Sequence, residues 1–154
     1  MIRVLITGAN SYIGVSVEKW LMKTPEQFHV DTVDTMNDAW KQVDFSLYDV
    51  VFHVAGIAHV DPKPEMAPLY YKVNRDLTVE IARHAKECGV KQFVFMSSKI
   101  VYQSSKDLKD HVVTLQTEPK PNDFYGDSKL QAEKGLNELS CDSFRVCLLY
   151  TSDA

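Results

Sequence analysis

Residues 2–14 of the chain read Ile-Arg-Val-Leu-Ile-Thr-Gly-Ala-Asn-Ser-Tyr-Ile-Gly, and this stretch decides the fold. Its apolar first part, Ile2–Ile6, predicts a short buried strand. Residues 7–14 predict a tight glycine turn, and Val15–Lys23 has the spacing of a helix, with Pro25 just beyond its end. A strand, a glycine turn and a helix in this order form a site for a pyrophosphate, because the first N–H groups of the helix are free to donate.

The two glycines of this turn have separate tasks. Gly8 permits the turn itself, and Gly14 allows the helix to pack closely on the strand. The alternative is an ordinary strand-to-helix turn that binds nothing. The position of the turn, at the start of a chain that alternates strands and helices, favours dinucleotide binding.

The rest of the chain continues the alternation. A parallel sheet covered by helices on both faces has strands that are apolar throughout, as residues 50–54 are. The sequence therefore predicts an α/β fold, a Rossmann-type doubly wound parallel sheet. The further predicted strands are Phe28–Asp34, Asp49–Val54, Lys91–Met96 and one beginning at Phe144–Val146. The further predicted helices are Pro68–Cys88, either one long helix or a bent pair ended by Gly89, and Phe124–Leu139.

Composition restricts the function classes. With 154 residues and a net charge of −4, the chain is long enough for one domain with a core, and its scattered lysines argue against a nucleic-acid surface. Its three cysteines, Cys88, Cys141 and Cys147, form no C-x-x-C pair, which predicts a reduced, cytoplasmic setting and no metal site. No segment is apolar enough to span a membrane, so no membrane partner is expected.

An acidic residue at the end of the second strand indicates which dinucleotide would bind. Asp34 lies twenty residues after Gly14, where a carboxylate accepts hydrogen bonds from ribose hydroxyls and repels a 2′-phosphate. NAD is therefore favoured over NADP. Two alternatives stay open: Asp34 is a solvated residue, or a shift in strand register gives its role to Asp31.

A tyrosine and a lysine near the C-terminal end of the chain suggest acid/base chemistry. Tyr125 and Lys129 are four positions apart, so both side chains project from one face of a helix. An ammonium group favours the phenolate and lowers the pKa of a phenol from about 10 toward the working pH. The alternative is two unrelated surface residues.

Four motifs together resemble the extended short-chain dehydrogenase/reductases, the family of sugar-nucleotide epimerases, dehydratases and reductases. The resemblance extends through Val146. Its motifs are Thr7-Gly8-x-x-Ser11-x-x-Gly14, in which Ser11 replaces the middle glycine and offers a hydroxyl to a phosphate, His53-Val54-Ala55-Gly56, Ser97-Ser98-x-x-Val101-Tyr102, and Tyr125-x-x-x-Lys129.

The resemblance implies a site. Tyr125 would act as acid and base, Lys129 would bind the nicotinamide ribose, and Ser98 would contact the reacting sugar oxygen. His53 is interpreted as a structural residue with a fixed partner. Asn74 would support the nicotinamide end, and Asp44 and Phe45 would lie against the adenine. The residues predicted to bind the cofactor are Gly8, Asn10, Ser11, Tyr12, Ile13, Gly14, Asp34, Asp44, Phe45, Val54, Ala55, Gly56, Asn74, Ser97, Tyr125 and Lys129.

The implied activity is that of a NAD-dependent UDP-hexose 4-epimerase acting on a nucleotide sugar, in a homodimer. A 4-keto sugar-nucleotide reductase would use the same three catalytic residues. A non-catalytic dinucleotide-binding regulator is the third alternative, although such proteins commonly lose the tyrosine or the lysine. The Asp-Glu pair that 4,6-dehydratases carry after the hydroxyl residue is replaced by Lys99-Ile100, which disfavours a dehydratase.

The family continues after this point into a loop and a substrate-binding lobe. This chain instead ends in Cys147-Leu-Leu-Tyr-Thr-Ser-Asp-Ala154, which resembles the translation of a sequencing adapter. We therefore expect residues 1–146 to be an incomplete NAD-binding domain, cut before the substrate-binding lobe. Residues 147–154 would be non-native, and the fragment itself would be inactive.

Overall fold

The computed structural model of the chain describes residues 1–58, 63–102 and 112–151, and its centre is a five-stranded sheet in the order β2-β1-β3-β4-β5. All four strand pairings are parallel, which confirms the predicted α/β fold. The chain runs from β1 to β2 on one side and returns to place β3 on the other side of β1, so the strand order reverses between β1 and β3. The strands are β1 (Ile2–Thr7), β2 (Phe28–Val33), β3 (Val50–His53), β4 (Gln92–Ser98) and β5 (Arg145–Thr151).

Helices cover both faces of this sheet, because alternate residues of each strand point to opposite sides. Val4 and Ile6 of β1 pack in a cluster with apolar residues of α1 (Tyr12–Leu21). Leu5, between them, packs in the main core with α3 (Thr78–Glu87) and α4 (Phe124–Leu139). The doubly wound arrangement is therefore confirmed.

The connection between β2 and β3 is short. It contains two 3-10 helical turns, Asp38–Gln42 and Phe45–Leu47, and no full helix. Trp40 and Phe45 point inward from these turns and meet edge to face, with ring centroids 6.3 Å apart. Two buried aromatic rings thus fill the space beneath α3.

The long predicted helix before β4 is irregular. It begins with a 3-10 turn (Pro64–Met66) and α2 (Ala67–Tyr70), passes through a π-helical segment (Tyr71–Leu77) and continues as α3. The chain leaves α3 through Gly89, whose φ of +83° is the left-handed conformation expected after a helix. The predicted extent of Pro68–Cys88 is confirmed, and of the two predicted forms the interrupted one agrees better with the structure, although the interruption is a π-helical segment.

At the end of the described chain, residues 147–151 complete β5 and pair in register with β4. The proposal that residues 147–154 are non-native stays a prediction, and Ser152–Ala154 lie outside the described residues. Within the described ranges, no helix combines the length and apolar character needed to cross a membrane.

Candidate active site

A cleft of about 1070 Å³ opens at the carboxyl ends of β1, β2 and β3, where the strand order reverses. Open parallel sheets bind ligands at such a point. The cleft is lined by Gly8, Ala9, Asn10, Ser11, residues 34–38, residues 54–57, Leu69, Lys72, Val73, Asp76, Leu77 and Glu80. Seven of the predicted cofactor residues are among them: Gly8, Asn10, Ser11, Asp34, Val54, Ala55 and Gly56.

In the glycine turn between β1 and α1, two positions, Gly8 and Gly14, leave no room for a side chain. Gly8 has a φ of +113°, and a Cβ there would lie 2.8 Å from the backbone nitrogen of Ala55. A Cβ on Gly14 would lie 2.6 Å from Ser11 Oγ and 3.0 Å from the carbonyl oxygen of Gly8. Both glycines are therefore required by close approach, as predicted.

Ser11, which replaces the middle glycine of the family motif, is the N-cap of α1. Its Oγ accepts a hydrogen bond of 3.1 Å from the backbone N–H of Gly14 and can still donate its own proton. Tyr12 and Ile13 contribute backbone N–H groups to the first turn, where no helical carbonyl is available to them. The side chain of Tyr12 is 89% exposed, so only its backbone belongs to the turn. This arrangement fits a pyrophosphate at the helix N-terminus.

The two candidate ribose-binding carboxylates, Asp34 and Asp31, lie in different surroundings. Asp34 lies just past β2, on the wall of the cleft, and its carboxylate accepts from the backbone N–H of Met36 at 2.8 Å. Asp31 lies within β2 and accepts from Tyr48 Oη at 2.9 Å. Since only Asp34 of the two lines the cleft, the alternative register is wrong.

Two predicted adenine contacts are placed elsewhere. Phe45 is fully buried in the main core against Trp40 and His84. Asp44 caps the 3-10 turn that follows it, accepting from the N–H and hydroxyl of Ser46. The short connection directs the ring of Phe45 under α3, and neither residue of this pair is among those that line the cleft. The contact of Asp44 and Phe45 with the adenine stays a prediction.

Asn74 holds the wall of the cleft to α4. Its Oδ1 accepts from the N–H of Ile57 at 2.8 Å, and its Nδ2 donates to the carbonyl of Ile57 at 3.1 Å and to Ser128 Oγ at 3.2 Å. Asn74 is fully buried in the π-helical segment, the kind of helix irregularity that often occurs at functional sites. The predicted supporting role agrees with these contacts.

Lys129 lies directly behind Gly56. A Cβ on Gly56 would be 3.2 Å from Lys129 Nζ, and this ammonium donates to the carbonyl of Met96 at 3.0 Å. Lys129 is only 6% exposed, and this burial lowers its pKa to about 8, while Glu133 opposes the shift. Its charge is therefore retained at neutral pH.

Tyr125 and Ser98 lie at the same end of the sheet. Asp123 caps α4 by accepting from the N–H of Gly126 at 2.7 Å. A Cβ on Gly126 would lie 3.0 Å from the carbonyl of Ile100, so the first turn of α4 packs on the segment after β4. Ser98 Oγ accepts from the N–H of Ile100 at 3.3 Å, and Tyr125 packs in a cluster with Ile100. The described residues that line the cleft do not include Ser98, Tyr125 or Lys129, and of the three Lys129 is placed directly behind a lining residue, Gly56.

His53 has the fixed partners predicted for a structural residue. Its Nδ1 contacts Thr7 Oγ1 at 2.6 Å and its Nε2 contacts Thr78 Oγ1 at 3.0 Å. Complete burial, with a smaller contribution from Lys129, lowers its pKa to about 3. His53 is therefore neutral and joins β1, β3 and α3.

Ser97, predicted as a cofactor contact, donates its hydroxyl to Glu133 of α4, and its contact with the cofactor stays a prediction. The sequence reasoning also missed the far wall of the cleft, formed by Lys72, Asp76 and Glu80. Their regular spacing of four residues places them on one helix face and was a usable signal.

Comparison with known proteins agrees with this geometry. The profile of the NAD dependent epimerase/dehydratase family matches residues 4–152. The UDP-glucose 4-epimerase of Vibrio cholerae is 32% identical, over 91% of this chain and 48% of the relative. The solved structure of MoeE5 in complex with UDP-glucuronic acid and NAD is 25% identical with a TM-score of 0.80, over 96% of this chain and 54% of that one.

The UDP-glucuronic acid 4-epimerase from Bacillus cereus, solved in complex with NAD, has the same fold, with a TM-score of 0.80 at 21% identity, over 98% of this chain and 56% of that one. The chain thus spans about half the length of the relatives it matches. The predicted preference for NAD agrees with the NAD-dependent family and with these NAD-bound neighbours.

Proposed function

The chain belongs to the NAD-dependent epimerase/dehydratase family, and we propose that it forms the NAD-binding half of an enzyme that inverts C4 of a nucleotide-linked hexose. The observation that carries the proposal is the position of Lys129, whose ammonium lies behind Gly56 in the cleft wall. A buried cation at the edge of a dinucleotide-sized cleft, on the same helix as a buried tyrosine, provides an acid/base pair beside the cofactor site.

The glycine turn would hold the pyrophosphate of NAD, and Asp34 would accept from its adenosine ribose. When bound, NAD supplies the acceptor and donor of a hydride at C4 of the sugar. The chemistry left to the protein is proton transfer at the C4 oxygen.

Tyr125 would accept the proton of the C4 hydroxyl as the carbonyl forms and return it when the hydroxyl is restored. Ser98 would donate a hydrogen bond to the same oxygen and share its developing charge. Lys129 would stabilise the phenolate form of Tyr125 and bind the nicotinamide ribose.

The substrate class rests on the relative from Vibrio cholerae, a UDP-glucose 4-epimerase. A 4-keto sugar-nucleotide reductase needs the same three residues. The two activities differ in whether the sugar is oxidised and reduced again or reduced only once.

The test uses full-length protein containing this chain, supplied with UDP-glucose or UDP-galactose and NAD. We expect interconversion of the two sugars with no net formation of NADH, and we expect the 154-residue chain alone to bind NAD without turnover. Stoichiometric consumption of NADH by a 4-keto sugar nucleotide would identify the reductase. Tight NAD binding with turnover of neither substrate would favour a non-catalytic regulator.

A further inference from the structure

A buried carboxylate lies one helical turn after the proposed catalytic lysine, and the mechanism above does not use it. Glu133 follows Lys129 by one helical turn on α4 and is only 5% exposed. Glutamates are rarely buried to this extent unless they are paired. The burial of the Glu133 carboxylate one helical turn after Lys129 therefore requires an explanation.

Glu133 and Lys129 form hydrogen bonds with two consecutive residues of β4. Lys129 Nζ donates to the carbonyl of Met96, and Ser97, the next residue of β4, donates its hydroxyl to Glu133 Oε1. Side chains four residues apart lie on one face of a helix. The two contacts together fix this face of α4 on the end of β4, immediately before Ser98.

We propose that Glu133 is a positioning residue for Lys129: its carboxylate, held by the hydroxyl of Ser97, keeps the neighbouring ammonium charged and docked on β4. The charge that Tyr125 would need is then sustained by a carboxylate that contacts neither substrate nor cofactor. This role rests on the proposed function, because it acts through the proposed catalytic lysine.

The electrostatics of the cluster support this assignment. Burial lowers the pKa of Lys129 to about 8, and Glu133 acts in the opposite direction. Burial holds the pKa of Glu133 itself above its ordinary value, and its hydrogen bonds with Ser97 and Tyr150, together with Lys129, offset this rise in part. Without the carboxylate, only the carbonyl of Met96 and the ring of Phe95, 4.7 Å from Lys129 Nζ to the ring centroid, would offset the desolvation of Lys129.

Two other titratable groups near the pair, among the residues that the structure describes, supply no negative charge. His53 of β3, which feels the charge of Lys129, is neutral. Tyr150 of β5 donates to Glu133 Oε2 at 3.3 Å and contacts Tyr102, which follows β4. Burial, and to a smaller extent the charge of Glu133, raises the pKa of the Tyr150 phenol above its usual range, so the phenol stays neutral. Because Tyr150 falls within the residues predicted to be non-native, the proposal depends on Ser97 and Lys129 alone.

The test is an NMR titration of Lys129 in the 154-residue chain with isotope-labelled lysine side chains, assigned with Lys129→Arg. In Glu133→Gln, which keeps the shape and accepts from Ser97, we expect the pKa of Lys129 to fall by about one pH unit or more. Ser97→Ala should lower it by less. The matched control, Glu138→Gln, removes an exposed carboxylate of the same helix and should leave it unchanged. An unchanged titration in Glu133→Gln would overturn the proposal.

If Glu133→Gln fails to fold, Ser97→Ala and Glu133→Asp decide the question. The aspartate retains the charge, so Lys129 should titrate close to its wild-type value in Glu133→Asp and lower in Ser97→Ala. Equal titration in Ser97→Ala and the wild type would then overturn the proposal.

The titration needs neither NAD nor sugar, so a failure of the proposed function, seen as no turnover by the wild type, is a separate outcome. In an active full-length enzyme, the alkaline limb of kcat against pH should move to lower pH in Glu133→Gln by the amount measured by NMR. KM for the sugar should not change.

Discussion

The ammonium of Lys129 closes the space behind Gly56 in the cleft wall, since a methyl group on Gly56 would lie 3.2 Å from Lys129 Nζ. Gly56 follows β3, and Lys129 is anchored to Met96 of β4. The two strands are neighbours in the sheet. The sheet order therefore brings a residue of the turn after β3 and a residue of α4 to one point.

Replacing Gly56 with alanine tests this contact. The new methyl group would also lie 3.0 Å from Asn74 Oδ1, so two buried polar groups must shift. Overpacking of this kind costs about 1–3 kcal/mol, and we expect the Kd for NAD, measured by calorimetry, to rise about tenfold or more. Gly89→Ala is the control, because Gly89 has a positive φ and open space around it. It should lower the free energy of unfolding by about 1 kcal/mol and leave the Kd as in the wild type. A wild-type Kd in Gly56→Ala would show that the cofactor does not use this wall.

Asp34 should set the preference between NAD and NADP. We expect the wild-type chain to bind NAD more tightly than NADP, because the Asp34 carboxylate would repel a 2′-phosphate. In Asp34→Ser, NAD affinity should fall about tenfold and the preference should nearly disappear. Asp31→Asn is the matched control, since Asp31 pairs with Tyr48 outside the cleft, and it should retain the wild-type ratio of the two Kd values. A change of that ratio in Asp31→Asn but not in Asp34→Ser would reverse the assignment.

The features that could be predicted from the sequence are local. The turn at Gly8 and Gly14 requires only a strand, a helix and two positions without side chains, all of which are close in the chain. Tyr125 and Lys129 needed only helical spacing. His53 could be assigned a structural role because a histidine on a buried strand must find partners.

The features that could not be predicted depend on contacts between distant segments. The resemblance of Asp44-Phe45 to a family pair predicts a contact with the adenine, but it gives no sign that the two 3-10 turns direct the ring of Phe45 under α3. Glu133, four residues after Lys129, has the spacing of a surface ion pair in the sequence. In the structure it is buried and accepts a hydrogen bond from Ser97, on a strand far away in the chain. The π-helical segment around Asn74 has no signature in residue spacing.

His53 should make the stability of the fold depend on pH. Its pKa of about 3 in the folded chain lies below the value of about 6.5 expected when unfolded. Above about pH 6.5 both states are neutral and the full contribution is present. As the pH falls from there toward about 3, the unfolded chain gains a proton that the folded chain excludes, so stability is lost at about 1.4 kcal/mol per pH unit.

Urea unfolding at about pH 7.5 and about pH 4.5 measures this effect. The free energy of unfolding should decrease by about 2–3 kcal/mol more in the wild type than in His53→Gln, which has no titrating group at this position. Parallel decreases in the two proteins would mean that His53 is not neutral and enclosed in the folded chain.

The most direct test of the account is the turnover of Tyr125→Phe in the full-length protein. If Tyr125 transfers the proton of the sugar C4 hydroxyl, loss of its oxygen should lower kcat by a factor of about 10²–10⁴ while the Kd for NAD stays within about twofold of wild type. Tyr71→Phe, which loses only the 2.6 Å hydrogen bond to Asp127, should keep wild-type turnover. A Tyr125→Phe enzyme with wild-type kcat would contradict the assignment of Tyr125 as the acid/base residue.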